Sequence, residues 1–175
     1  VYKRQVRVEG SRGYDTLPYT VKLEAARRVG YQTVSIVMVR DAHYRAHIAD
    51  WVVALEASFV RKAAARRLEN VHLEIRIIGH SATLAELENA SGSGCEVGVM
   101  AIFTSPSQSR STEAAKLLNP DLLHLPLTPH EPMPTFAFPF SPPEMERGAL
   151  YEFCLHHTLT LDDPMSAFCL KTMEI

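Results

Sequence analysis

Tyr31 to Val39, YQTVSIVMV, runs directly into a capped amphipathic stretch. Val, Ile and Thr favour a pleated backbone, so this segment predicts a β-strand. Its near-continuous apolar character predicts burial on both faces. Arg40-Asp41 ends the strand, and Asp41 suits a helix N-cap. From Ala42 to Leu68 the apolar residues Tyr44, Ile48, Trp51, Val52, Leu55 and Phe59 recur at helical spacing. That predicts one long amphipathic helix. Its closing cations, Arg61, Lys62, Arg66 and Arg67, complement the helix dipole. No aromatic residues interleave with them, so a solvated helix end fits better than a phosphate site.

The same two periods organise the rest. Val71 to Ile78 alternates, with Val71, Leu73, Ile75 and Ile77 facing one way and His72, Glu74 and Arg76 the other. This is the pattern of a half-buried strand. Gly79 to Ser93 predicts a loop with a short helical piece, Thr83–Leu87. Ser91-Gly92-Ser93-Gly94 lacks the GK[ST] of a phosphate loop and precedes a strand, so it fits a hairpin connection. Cys95 to Thr104 is a third strand and Ser107 to Leu118 a second helix, stopped by Asn119-Pro120. Asp121–Leu127 predicts a short strand, Thr128–Pro134 a proline-rich turn, Ala149–Leu161 a longer strand and Phe168–Met173 a terminal one. Upstream, Tyr19–Leu23 can begin a short strand, while Glu24–Gly30 is ambiguous. From Tyr31 the order is β-α-β-β-α-β, the split βαβ, ferredoxin-like succession. The expected class is α+β: an antiparallel or mixed sheet, helices on one face, and extra C-terminal strands.

At 175 residues one domain is expected. Lys+Arg 18 against Asp+Glu 20 leaves net −2, so no basic field points to nucleic acid or to an anionic membrane. No apolar run is long enough to cross a bilayer, and no signal peptide of the usual form is present. Cys95, Cys154 and Cys169 have no CxxC spacing, which suggests a reduced, cytoplasmic compartment. Val1–Gln5, VYKRQ, resembles a translated sequencing-adapter end, with a native strand over VYKRQVRVEG as the alternative. The expected layout is therefore 1–5 as artefact, 6–18 as linker and 19–175 as one α+β domain, the C-terminal part of something longer.

Candidate chemistry concentrates between Thr135 and Phe168. Phe138 and Phe140 lie among Pro139, Pro142 and Pro143, a stiff segment able to wall an apolar pocket, to cover the core, or to form a cis-Pro turn. Glu144, Glu146 and Arg147 follow; Arg147 with Glu144 can orient a carboxylate or a phosphate, against a local ion pair as the commoner outcome. In Tyr151–Thr160, alternation puts Glu152, Cys154, His156 and Thr158 on one face, opposite Tyr151, Phe153, Leu155, His157 and Leu159. Glu152 and His156 are the acid–base candidates. A metal would need a third ligand from His124, Asp162 or Asp163, and the spacing is not that of a metal motif, so no metal or other cofactor is expected. His157 fits a core histidine and Cys154 a buried, inert thiol. Asp162-Asp163-Pro164 fits a cap for Met165 onward better than a catalytic carboxylate. Arg40, at the C-terminal end of a strand and just before a helix, is a substrate-binding candidate, with a salt bridge beside the Asp41 cap as its plainer role.

The combination of Ala137-Phe138-Pro139-Phe140-Ser141-Pro142, Gly148-Ala149-Leu150-Tyr151-Glu152-Phe153, His157 and Asp162-Asp163-Pro164 resembles the acyclic terpene utilisation (AtuA-like) family. So do Val21–Ala25, Val29-Gly30-Tyr31, Val39-Arg40-Asp41, Glu96-Val97-Gly98, Thr104–Gln108 and Leu122-Leu123-His124, in the family's order. The chain departs from the family pattern at Gly79–Asn89 and at Met133–Thr135, where glycines and an asparagine are replaced. The resemblance implies a role in the breakdown of branched terpenoid acids as CoA thioesters. It implies a missing N-terminal α/β domain as partner, a small-molecule acid or acyl-CoA as ligand, and a pathway context in place of residue roles. An assembly or lid role beside that domain is the alternative, and a homo-oligomer is the other expected association.

Overall fold

The computed structural model describes residues 7–13, 18–88, 94–163, 165, 167–169 and 171. The chain divides into two compact units, one of Arg28–Glu152 and one of Val1–Arg27 with Phe153–Ile175. The elements in order are β1 (Thr20–Val39), α1 (Ala42–Ala46), α2 (Ile48–Arg66), β2 (His72–Ile78), a 3-10 turn (Ala85–Leu87), β3 (Val97–Ser105), α3 (Gln108–His124) and β4 (Glu144–Thr160). The class is α+β, as the two periods predict: a four-stranded antiparallel sheet with three helices. The strand order is β2-β3-β1-β4, so β3 lies between the two strands that α1 and α2 connect.

In the larger unit the register fixes what packs. Val37 pairs with Val99, Val39 with Val97 and Thr33 with Phe103, so these side chains share one face. That face meets Trp51, Leu55 and Phe59 of α2 and Ala114, Leu118 and Leu122 of α3 in a single core. Burying each large side chain here stabilises the unit by about 1.5–3 kcal/mol. The opposite face pairs Val34 with Ile102 and Ile36 with Met100. Val34 and Ile102 are buried and Ile36 and Met100 half-buried, so the expected two-faced burial of this strand holds in part. A polar seam lies where β1 meets α3: Thr33 Oγ1 is 2.9 Å from Ser111 Oγ and accepts from Gln108 Nε2 at 2.8 Å.

Several expectations need correction. The long helix is two, broken at His47, whose φ of −115° and ψ of 29° leave the helical region. The second helix does not stop at Asn119-Pro120; α3 continues to His124 with Pro120 inside it. A proline costs a helix one hydrogen bond and a clash. Packing on both sides offsets that cost. Leu118 and Leu122 are fully buried, the Trp51 indole donates to Leu125 O at 2.9 Å, and Asp121 accepts from Ser58 Oγ and Lys62 Nζ, each at 2.7 Å. The strand expected at Asp121–Leu127 is therefore helix and turn. The terminal strand is also absent where it can be assessed: Phe168, Cys169 and Lys171 are not in a strand, and Leu170, Thr172 and Met173 lie outside the described residues. Ser91–Ser93 and Pro164 lie outside them as well.

β1 is far longer than expected, because Glu24–Gly30 is strand. Gly30 is the reason it can pass β3: a Cβ there would lie 2.8 Å from the Ser105 carbonyl oxygen. In the smaller unit the first part of β1 and the last part of β4 form a two-stranded antiparallel ribbon. Leu161 N–H donates to Tyr19 O at 2.9 Å, and Cys154 Sγ lies 3.4 Å from Ala25 O. Cys154 and His157 are both exposed, not buried: among the described residues of this unit no layer shields them. Asp163 acts as the expected cap, accepting from Met165 N–H at 3.0 Å.

Candidate functional site

The end of β1, the first turn of α1 and the loop before β4 enclose a cavity of about 840 Å³. Local sequence explains each wall. Asp41 Oδ1 accepts from His43 N–H at 2.9 Å and Tyr44 N–H at 3.0 Å, which satisfies the helix start and turns the chain sharply away from the strand. This places Arg40 and His43 on the cavity lining. Opposite, the prolines of Pro132-Met133-Pro134 hold an extended segment that reaches the sheet, where Met38 N–H donates to Ala137 O at 2.8 Å. The floor is aromatic: the Phe136 ring lies 5.0 Å from Tyr44 and 5.1 Å from Trp51, both edge-on.

Seven of the thirteen lining residues carry polar or charged groups, among them the carboxylates of Asp41, Glu96 and Glu131. His43 Nε2 is 3.5 Å from Glu131 Oε1. Glu131 Oε2 is closed from solvent and has no hydrogen-bond partner among the described residues. The Tyr44 hydroxyl accepts from Leu127 N–H at 3.3 Å. Burial raises the Tyr44 pKa, the Leu127 hydrogen bond lowers it in part, and the charges of Glu131 and Asp41 add to the rise. Arg40 is exposed, and its guanidinium makes no hydrogen bond or ion pair with any described residue. A largely apolar wall with a guanidinium that has no partner among the described residues can take an anionic head on an apolar chain, with Asp41, Glu96 and Glu131 in the same lining.

Of the residues expected to form a site, Arg40 lines this cavity. Phe138 packs against the core, while Phe140 is more exposed. The peptide bond Ser141–Pro142 is cis, one of the turns expected for this segment. Glu144 is largely buried and engaged: its Oε2 accepts from Asn119 Nδ2 at 3.0 Å, and Lys116 Nζ is 3.6 Å from its Oε1. Arg147 is exposed on β4. Glu152 and His156 are also exposed on β4, one in each unit, and His156 Nε2 is 3.8 Å from Glu24 Oε1. No group of three or more metal-ligating side chains occurs among the described residues. No helix among them is long and apolar enough to cross a membrane.

His43, Tyr44 and Glu131 were not singled out from the sequence. Tyr44 fits a helical core period, and Glu131 sits in TPHEPMP, a segment whose prolines signal only a turn. The available clue was the Asp41 cap, which orients whatever follows it toward the strand end.

No family model matches this chain, and neither a curated protein nor a solved structure matches it.

Proposed function

We propose that this chain is part of a catabolic protein of the AtuA-like kind, and that its larger unit holds a branched carboxylic acid or the matching CoA thioester in the 840 Å³ cavity. The observation that carries this is the pairing of an Arg40 guanidinium that has no partner among the described residues with the apolar lining groups Met38, Met133, Phe136 and the prolines. Arg40 would hold the carboxylate or a phosphate of the thioester in a bidentate contact. The branched chain would lie on Phe136 and Met133. His43, with Glu131 beside it, is the group placed to move a proton. It suits that role better than Glu152 and His156, whose solvent exposure leaves no dry site for a reacting atom.

The test is titration with a methyl-branched, ten-carbon terpenoid acid, followed by NMR shifts of Tyr44, Phe136 and Ala137. Binding at these positions is expected, and Arg40→Ala should weaken it by about 10- to 100-fold, the loss of one charge-assisted contact. His43→Ala should leave binding within a few-fold while abolishing any turnover. No shifts at millimolar acid, or an unchanged affinity in the Arg40→Ala protein, would remove the proposal.

A further inference from the structure

The ribbon of the smaller unit has a built-in asymmetry. Leu161 N–H bonds Tyr19 O, so these two residues are directly opposed. Counting back along both strands sets Leu23 against His157, Ala25 against Leu155, and Glu24 against His156. The 3.8 Å approach of the Glu24 and His156 side chains agrees with that register. Opposed residues share a face. One face therefore carries Tyr19, Val21, Leu23, Phe153, Leu155, Leu159 and Leu161, with the exposed His157 among them. The reverse face carries Thr20, Lys22, Glu24, His156 and Thr158, with Lys22 and Glu24 ion-paired.

The apolar face is open: Phe153 is 61% exposed, Tyr19 49%, Leu23 46%, Leu159 44% and Leu155 40%. Together these side chains present roughly 500 Å² of apolar surface, at the upper end of what a monomer displays in one patch. A lone two-stranded ribbon is at best marginally stable in water. Among the described residues this period-2 apolar face is only partly covered, and it is a surface open to a partner.

We infer that this face docks against the same face of a second copy of the chain. Area supports that occupant. Two copies related by a two-fold axis would remove about 1,000 Å² in total, the threshold for a specific interface, and each contact would be made twice. Charge supports it as well. Arg27 and the titratable His157 are the only residues on this face that ionise near neutral pH, so an acidic or basic partner finds little to pair with, whereas the reverse face carries Lys22, Glu24 and His156. At that area a weak dimer is expected. The inference is independent of the cavity and of Arg40.

Sedimentation of the full chain over about 1–200 μM is the test, since weak interfaces of this size associate in the micromolar range. A monomer–dimer equilibrium is expected. Phe153→Ser/Leu155→Ser should weaken it at least tenfold, and Lys22→Ser/Thr158→Ala, on the reverse face, should not. Trp51 fluorescence and the thermal midpoint check that the larger unit stays folded. Amide exchange of Leu155 and Leu23 in the unaltered chain should slow as concentration rises, a readout that needs no variant. A monomer throughout the range would overturn the inference. So would a dimer that ignores Phe153→Ser/Leu155→Ser, or ribbon binding to phosphatidylcholine vesicles in place of self-association.

Discussion

Phe103 and Phe153 are the same residue on two strands of one sheet, each with an apolar residue two positions away, Ala101 and Leu155. Phe103 is fully buried and touches Phe59 with ring centroids 5.5 Å apart, whereas Phe153 is 61% exposed. The difference is not in local pattern. β3 has α2 and α3 packed against its apolar face, and the ribbon of the smaller unit has no such layer among the described residues of its own unit. Alternation specifies which face is apolar. It does not specify what covers that face, and the two regions separate those two pieces of information.

The largest effect that tests this contrast is a matched pair of truncations. Phe103→Ala should lower the stability of the larger unit by about 3–5 kcal/mol, because it leaves a cavity in a close-packed core. Phe153→Ala should change it by less than about 0.5 kcal/mol when measured at a concentration where the chain is monomeric. Chemical denaturation followed through Trp51 reads both. A cost for Phe153→Ala as large as that for Phe103→Ala would mean the ribbon supports the core, and the contrast would fail.

How much was legible follows from the same distinction. The strand at Tyr31–Val39 and the alternation of Val71–Ile78 are local patterns that became strands, and the helical face from Tyr44 to Phe59 became helix, divided at His47 into α1 and α2. Pro120 inside α3 and the strand at Glu24–Gly30 were not legible. What decides them is distant: Trp51 and Ser58 hold α3 past the proline, and strand pairing overrides the helix preference of Ala25, Ala26 and Arg27. The cavity divides in the same way. Arg40 could be found, since the end of a strand before a capped helix is a local signal. Glu131 could not, because two helices and two strands separate it in sequence from His43. The phenylalanines of the AFPFSP run drew attention as ligand contacts, yet Phe138 supports the core and the wall of the cavity is the segment just before it.

A smaller effect sharpens the contrast between glycines. Gly30→Ala places a methyl group 2.8 Å from the Ser105 carbonyl oxygen and 3.3 Å from Thr104 Cγ2. Strands β1 and β3 would have to separate, and a loss of about 1–3 kcal/mol is expected, as for other overpacked sites. Gly13→Ala meets nothing within 4 Å and should be neutral. Equal stabilities for the two variants would show that the close passage of β1 by β3 is not a constraint.

The polar seam offers a change of opposite sign. Ser35 is fully buried and its hydroxyl has no partner among the described residues, while Ser111, nearby on α3, bonds both Thr33 and the Gln108 carbonyl. An unmet buried hydroxyl costs about 1–3 kcal/mol. Ser35→Ala is expected to raise stability by about 1 kcal/mol, and Ser111→Ala to lower it by a similar amount. A loss on Ser35→Ala would point to a partner for that hydroxyl in solution, most simply an ordered water.

The smallest effect is confined to alkaline pH and bears on the cavity floor. Burial, helped by Glu131 and Asp41, holds the Tyr44 pKa above its ordinary value of 10.0 in the folded chain. The folded state therefore keeps the phenolic proton at pH values where the unfolded chain has begun to lose it. Below pH 10 both states are protonated and Tyr44 adds no pH dependence. Above it the unfolded chain binds fewer protons, so stability falls as pH rises toward the folded pKa. Tyr44→Phe removes that slope and leaves the Leu127 N–H without its 3.3 Å acceptor. The variant should be less stable at neutral pH by about 1 kcal/mol, the value of one lost hydrogen bond. The gap should narrow above pH 10 as the unaltered chain weakens. A constant difference from pH 7 to pH 11 would mean that the Tyr44 hydroxyl is open to solvent, and the floor of the cavity would then be wetter than its aromatic packing indicates.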